Sequence, residues 1–365
     1  MTWNWEQNDW PNFRYDESQL RSFEGEFLKE SGIILGIFRY MSEDEKLSLR
    51  VQLLSTEAVK TSAIEGEYLN RESVQSSIQK HLGLKVDFRR ASLAEQGISE
   101  LLVHLVETCS QPLTHDMLFS WHEMVMRGRR DLDAGQYRTS LEPMQVISGW
   151  KFGHKVHFEA PPSSRVFEEM ERFVYWFNGA RITPLLKSGL AHLYFESIHP
   201  FEDGNGRIGR LLSEKLLAQH FDEPMLLFLS RTIEANKKEY YEALEKANKS
   251  NEVTDWLLYF SRMVLVAQKE TQRTIAFLIE KTKFFDQFRG LLNLRQEKVL
   301  LRMMEEGSGG FQGGMSAEKY IRLTKTTRAT ATRDLHDLVV RGALLRTGER
   351  KHTRYHLPFG DDPVN

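Results

Sequence analysis

Cysteine is all but absent from this sequence: Cys109 is the only one in 365 residues. A single thiol excludes an intramolecular disulfide and fits a reducing compartment. Cys109 follows an apolar helical run and reads as a packing residue. Long apolar runs are absent too, and none reaches the roughly 18 residues of a membrane-spanning helix. The opening residues, Met1-Thr2-Trp3-Asn4-Trp5-Glu6, lack the basic and apolar regions of a signal peptide. The expectation is a cytoplasmic protein with no membrane partner. No tandem repeat is visible. Net charge is slight, −2, but unevenly spread. From Arg295 to Leu357, 13 Lys+Arg stand against 7 Asp+Glu, a net of +6. That segment is the place to look for nucleic acid.

What is present centres on His199-Pro200-Phe201-Glu202-Asp203-Gly204-Asn205-Gly206-Arg207-Ile208-Gly209-Arg210. A histidine titrates near neutral pH and can take a proton from a hydroxyl. Asp203 is a carboxylate suited to a hard cation such as Mg²⁺. Gly204-Asn205-Gly206 allows positive φ and exposes successive N–H groups. From Ile208 onward, Leu211, Leu212, Leu216 and Leu217 recur at helical spacing. A glycine-rich turn therefore delivers N–H groups at a helix N-terminus, which favours anions. Arg207 and Arg210 add two guanidinium forks. Base, metal ligand, anion nest and cations within one short stretch point to a nucleotide phosphate site. A lone Asp-Gly-Asn-Gly would be read as an ordinary turn; agreement at six positions outweighs that reading.

The stretch resembles the signature of the Fic family, His-x-Phe-x-(Asp/Glu)-Gly-Asn-Gly-Arg-x-x-Arg, with every specified position matched. Fic proteins mostly transfer AMP from ATP to a hydroxyl of a target protein. The resemblance implies His199 as base, Phe201 as core anchor and Asp203 as Mg²⁺ ligand. It implies Gly204, Asn205 and Gly206 as anion hole, and Arg207 and Arg210 as phosphate holders. Ile208 and Gly209 fall within the same ATP-binding stretch.

Upstream, Trp3, Trp5, Trp10, Phe13 and Tyr15 suggest an N-terminal arm packed onto the body. Asp16 to Phe38 reads as a helix. Ser42-Glu43-Asp44-Glu45 is a capping box, and Leu47, Val51, Leu54 and Ala58 follow at helical spacing. That helix runs into Thr61-Ser62-Ala63-Ile64-Glu65-Gly66, where the glycine is a C′ stop. A carboxylate at a helix C-terminus opposes the dipole, so Glu65 calls for a partner. Thr61 to Gly66 resembles the (Ser/Thr)-x-x-x-Glu-(Gly/Asn) pattern of the Fic inhibitory helix. The resemblance implies self-inhibition in which Glu65 reaches Arg210.

Arg89 to Thr108 reads as helical, and Thr114 opens another helix through His122. His122 has no companion at metal spacing. Met144 to Gly149 and His154 to Phe158 read as two short strands about a turn. In the Fic family this hairpin is a flap that pairs with an extended target segment, implicating Val146, Ile147, Ser148 and Gly149. His154 and His157 lack a third ligand nearby. Arg165–Phe177 and Leu185–Ser197 read as helices, the second delivering His199 at its end. By resemblance, Tyr240 and Asn248 contact the adenosine. Trp256, Tyr259 and Phe260 read as core.

Lys281 to Asn293 reads as a link to a separate unit. Gln296–Leu301, Ser316–Leu323 and a stretch from Thr326 or Thr327 read as helices, and Gly342–Leu357 as a hairpin. Three helices and a hairpin look like a winged helix-turn-helix. Its recognition helix would expose Thr327, Arg328, Thr330 and Arg333, and its wing Arg350, Lys351 and Arg354. The partner there is DNA or protein.

The expected fold is mainly α: an N-terminal helical region with the inhibitory helix (1–110), a Fic core with a β-hairpin flap (111–290) and a winged helix (291–365). The expected function is AMP transfer from Mg-ATP to a Ser, Thr or Tyr hydroxyl of a target protein docked on the flap. A homodimer is compatible with this. The alternatives are a DNA-binding regulator with a nucleotide-sensing core, or a Fic enzyme that removes AMP or transfers another phosphate-containing group.

Overall fold

The computed structural model describes residues 2–85, 90–148, 155–220, 227–305, 307, 310–311 and 313–360. It divides into two compact units, Met1–Lys269 and Glu270–Asn365. Fourteen α-helices and two small hairpins are formed by the described residues. None of these helices is long and apolar enough to cross a membrane.

In the first unit a 3₁₀ turn at Asn4–Glu6 precedes α1 (Glu17–Tyr40) and α2 (Glu43–Ile64). The Asp16 carboxylate caps α1, and Ser42 and Glu45 close a reciprocal capping box on α2. α3 (Arg71–His81) and α4 (Leu93–Glu107) follow, capped by Asn70 and Ser92. α3 is not apparent from the sequence, because only Val74, Ser77 and Ile78 are buried on it. α5 (His115–Val125) starts at Thr114. β1 (Gln145–Ser148) then pairs antiparallel with β2 (Lys155–Glu159), register Gln145↔Glu159 and Ser148↔Lys155, with an irregularity at Val146/Ile147. Gly149 and His154 lie outside the described residues.

α6 (Ser163–Gly179), α7 (Pro184–Ile198) and α8 (Asn205–Gln219) build the centre. α7 is buried along nearly its whole length, so it is enclosed all round rather than on one stripe. Its polar groups are answered inside: Ser197 Oγ donates to Leu193 O (2.7 Å), and His192 Nε2 meets Tyr240 Oη (2.7 Å). α9 (Leu229–Ala235), α10 (Lys237–Ala247) and α11 (Thr254–Gln287) follow.

The N-terminal arm is fastened to this centre, as its aromatics suggest. Trp10 Nε1 donates to buried Glu169 (2.9 Å) and Trp5 Nε1 to the Glu159 carbonyl of β2 (2.7 Å). Trp3 packs edge-on against Phe158, ring centroids 5.5 Å apart. Buried Asn4 donates from its amide to Ser197 Oγ (2.8 Å) and from its backbone to Asn248 O (2.8 Å).

The second unit holds α12 (Leu294–Met304), α13 (Ala317–Thr324), α14 (Arg328–Val340), β3 (Leu345–Thr347) and β4 (Arg354–His356). β3 and β4 pair antiparallel, Leu345↔His356. Lys281–Asn293 is not a simple link. Its first part is the end of α11, and Phe284 and Phe288 enter the core beside Val299, Met303 and Leu335. Thr327 caps α14, whose Arg328 and Arg333 are exposed.

Phe201 is wholly buried, stacked on His122 at 4.1 Å and near Tyr137 and Phe195. Phe201→Ala should lower the unfolding free energy by about 3–5 kcal/mol, read from the urea midpoint. A change below about 1 kcal/mol would show that the ring does not anchor the loop.

Candidate active site

The chain between α7 and α8 reverses through two residues of left-handed backbone. His199 ends α7 at φ +49°, and Gly204 starts α8 at φ +83°. The positive φ favours glycine at 204, and a Cβ there would press on Val125 Cγ1 at 3.1 Å and displace the end of Met126. Asn205 closes the loop between them: its Oδ1 accepts from Phe201 N–H (2.9 Å) and its Nδ2 donates to Phe201 O (2.7 Å). The side chain expected near the anion is thus spent on shaping the turn. Within the turn, the backbone N–H groups at the start of α8 are left for a ligand.

Two residues to which the sequence assigns no role in the site, Arg138 and His122, hold this loop. Arg138, buried, donates from Nε to His199 O (2.8 Å) and from its backbone N–H to Pro200 O (2.9 Å). It answers carbonyls that the end of α7 leaves free. His122 accepts from Gly135 N–H at Nδ1 (3.0 Å), which leaves Nε2–H to donate to Asp203 O (3.2 Å). Burial pushes its pKa down to about 4, which keeps that tautomer neutral. Arg138 follows Gly135-Gln136-Tyr137, which by itself suggests only the end of a helical run.

A cavity of about 670 Å³ opens in front of the loop. His199, Asp203, Gly204, Asn205, Gly206 and Arg210 line one side. Val146, Ile147 and Ser148 of the flap, with Tyr240 and Asn248, line another, and Glu65 enters it. Ile208 lies in the core, and Gly209 packs so close to Glu196 that a Cβ would meet Oε1 at 2.5 Å. Neither faces the cavity.

Arg210 is 1% exposed. Its Nη2 donates to Glu65 Oε1 (2.8 Å) and Thr61 O (3.1 Å), and its Nε to Thr61 Oγ1 (3.0 Å). Its Nη1 has no hydrogen-bond partner among the described residues. Burial works against this charge, but the Glu65 carboxylate more than offsets it and holds the pKa above its usual value. Gly206 makes the approach possible, since a Cβ there would sit 2.5 Å from Glu65 Oε1. Arg207 is not among the lining residues in this conformation; its Nη1 pairs with Glu67 Oε2 at 3.0 Å, and its Nη2 lies 3.9 Å from Oδ1 of Asp203, which does line the cavity. Glu67 lies beyond the Thr61–Gly66 pattern and nothing in the sequence singled it out.

Asp203 is about two-fifths exposed, pairs with Arg129 (3.0 Å) and accepts from Gly204 N–H (2.6 Å). Among the described residues no group of three metal-ligating side chains occurs. One exposed carboxylate, which would exchange its Arg129 partner for a cation, fits a Mg²⁺ shared with substrate phosphates rather than caged by protein. Tyr240 is buried, with its hydroxyl committed to His192. Asn248 caps α10, and its Oδ1 lies 3.3 Å from Ser197 Oγ. On the flap, His157 bonds Ser148 Oγ and Glu245 (2.6 Å each), and with Lys155 it holds the Glu245 carboxyl down at about 2.

Residues 112–217 match the model of the Fic/DOC family. The chain carries a Fic domain. Residues 3–84 match a domain of unknown function, DUF4172. The protein adenylyltransferase Fic of Nematostella vectensis is 24% identical over 232 residues, 62% of this chain and 48% of that protein. The Drosophila grimshawi protein of that name is 34% identical over 163 residues, 44% and 29% of the two chains. The chain thus spans less than half the length of these curated relatives. A crystal structure of a Fic family protein from Desulfovibrio desulfuricans covers 93% of this chain and 97% of its own, with TM-score 0.53 and 23% identity. The mainly α-helical Fic fold with its β-hairpin is shared.

Burial, and after it the nearby Arg138 charge, push the His199 pKa down to about 4. Folding therefore favours the neutral ring, and from the ordinary 6.5 down to about 4 the imidazole stays unprotonated in the native state but not in the unfolded one. NMR titration of the His199 ring should give a midpoint well below 6.5. A midpoint at or above 6.5 would contradict the buried, cation-flanked setting.

Proposed function

We propose that the chain is a protein adenylyltransferase that moves AMP from ATP to a Ser, Thr or Tyr hydroxyl of a target protein, restrained by Glu65. The observation that carries this reading is the convergence of His199, Asp203, the Gly204–Gly206 turn and Arg210 on one cavity, in a Fic domain. His199, neutral at physiological pH, takes the hydroxyl proton. The freed oxygen attacks the α-phosphorus, the bond to the β-phosphate oxygen breaks, and pyrophosphate leaves. N–H groups of the nest and the Arg210 guanidinium stabilise charge on the phosphates. Asp203 would hold a Mg²⁺, which would neutralise further charge on the triphosphate. The exposed β1 residues Val146 and Ile147 offer an edge on which an extended target segment adds as a strand.

Glu65 restrains the reaction by occupying Arg210. A guanidinium binds carboxylate and phosphate with the same fork, so Glu65 and the ATP γ-phosphate compete for it. ATP then binds with its α-phosphate turned from in-line attack, and activity suffers more than affinity.

Incubation with α-labelled ATP, Mg²⁺ and cell lysate, read by mass spectrometry, tests the reaction. Protein should gain the mass of one AMP, and His199→Ala should lose transfer while binding ATP. Glu65→Gly should raise the initial rate, self-modification included, by roughly tenfold to a hundredfold, the worth of a charge-assisted hydrogen bond. No AMP-sized gain with Glu65→Gly would remove the transferase reading. Equal rates for it and wild type would make Glu65 an ordinary helix-end carboxylate.

The second unit has its own reading, a winged helix with α14 as recognition helix. Thr327, Arg328 and Arg333 are exposed there, with Thr330 half-buried, and Arg350 and Arg354 stand on the hairpin; the Lys351 side chain lies outside the described residues. Arg328 pairs with Glu318 in the open, at 3.0 Å. Duplex DNA should therefore shift the protein at low salt, and Arg328→Ala with Arg333→Ala should weaken binding and flatten its salt dependence. No shift for wild type would leave a protein partner for this face.

A further inference from the structure

One turn of chain answers both motif guanidiniums. α2 ends in a Schellman turn: Glu67 N–H donates to Ser62 O (3.0 Å), and Gly66 N–H to Ala63 O (3.1 Å). Gly66, at φ +83°, makes the reversal. The two acids flanking this glycine both turn onto α8. Glu65 takes Arg210 at 2.8 Å and Glu67 takes Arg207 at 3.0 Å. Arg207 and Arg210 stand three positions apart, neighbours on one helix face. Two acids spaced by one residue thus meet two bases spaced by one helical turn.

We propose that Glu67 is a second inhibitory carboxylate, which occupies Arg207 as Glu65 occupies Arg210. The 3–84 segment, whose family model has no assigned function, is then a two-point clasp on the phosphate-binding arginines. This rests on the nucleotide-site reading above. A triphosphate presents several anionic oxygens, and two guanidiniums can take it only after both have left their carboxylates. The Arg207 side chain is 8% exposed, so the Glu67 contact answers a largely buried charge and is not a pair between two solvated ends. The two contacts differ in degree: the Arg210 and Glu65 side chains are 1% and 29% exposed, those of Arg207 and Glu67 8% and 39%. The Glu67 contact is therefore the outer one, weaker and more readily screened by salt. Because both acids sit on one turn, loss of either loosens the other, and their effects do not add.

The test uses the full chain as wild type, Glu67→Gln, Glu67→Ala, Glu65→Gly and the Glu65→Gly/Glu67→Gln double variant. Calorimetry measures the Kd for a non-hydrolysable ATP analogue with Mg²⁺, and mass spectrometry the initial self-modification rate. Glu67→Gln and Glu67→Ala should each tighten the analogue by roughly twofold to tenfold at low salt, the range of a partly exposed pair. The ratio to wild type should shrink towards one at high salt. The double variant should exceed Glu65→Gly by less than the single effects multiplied. Wild-type Kd for both Glu67 variants at low salt, with both folded by circular dichroism, overturns the proposal even if Glu65→Gly is activated. Absence of AMP transfer in every variant would instead remove the transferase reading, while tighter analogue binding by Glu67→Gln would keep Glu67 as a competitor for Arg207.

Discussion

A guanidinium withdrawn from water must be answered from within the protein, and Arg210 is answered from the end of α2. Glu65 supplies the opposite charge, and Thr61 its hydroxyl and its carbonyl. The desolvation of Arg210 is offset only while such partners stand in place. That requirement joins the last turn of α2 to the second turn of α8 across 145 positions of sequence. It also explains the glycine at 206, where any side chain would lie in the path of the Glu65 carboxylate.

A second constraint is the reversed backbone between α7 and α8. A histidine in left-handed conformation is costly, and it persists because its surroundings over-determine it. Arg138 holds the carbonyl side of the loop, Asn205 spans it, and His122 supports Asp203 from beneath. The same burial that fixes His199 strips it of its proton. Loop geometry and the neutrality of the proposed base thus have one origin. The N-terminal arm adds a brace from the other side, tying β2, Ser197 and Asn248 through Trp5 and Asn4.

Much of the architecture was legible because it is local. The capping box at Ser42, the stop at Gly66, the start at Thr114 and the glycine turn before α8 are each written in a few adjacent residues. What escaped lacked such marks. α3 buries too little apolar surface to show a stripe. The end of α11 looks like a linker until its phenylalanines are seen in the second unit's core. Tyr240 and Ile208 are both expected at the ATP site, yet Tyr240 lines the cavity and Ile208 does not.

The sequence by itself determined a Gly-rich turn at a helix N-terminus with a histidine before it and two arginines after it. Those are properties of neighbouring residues: positive φ at Gly204, free N–H groups in a first helical turn, and side chains three positions apart on one face. Tertiary structure alone decided which carboxylate meets which arginine. Glu65 pairs with Arg210 and Glu67 with Arg207 over 145 and 140 positions. No local propensity acts over such distances. The pairing follows from the packing of α2 against α8, which brings both acids of one turn within reach of two buried charges that water no longer solvates.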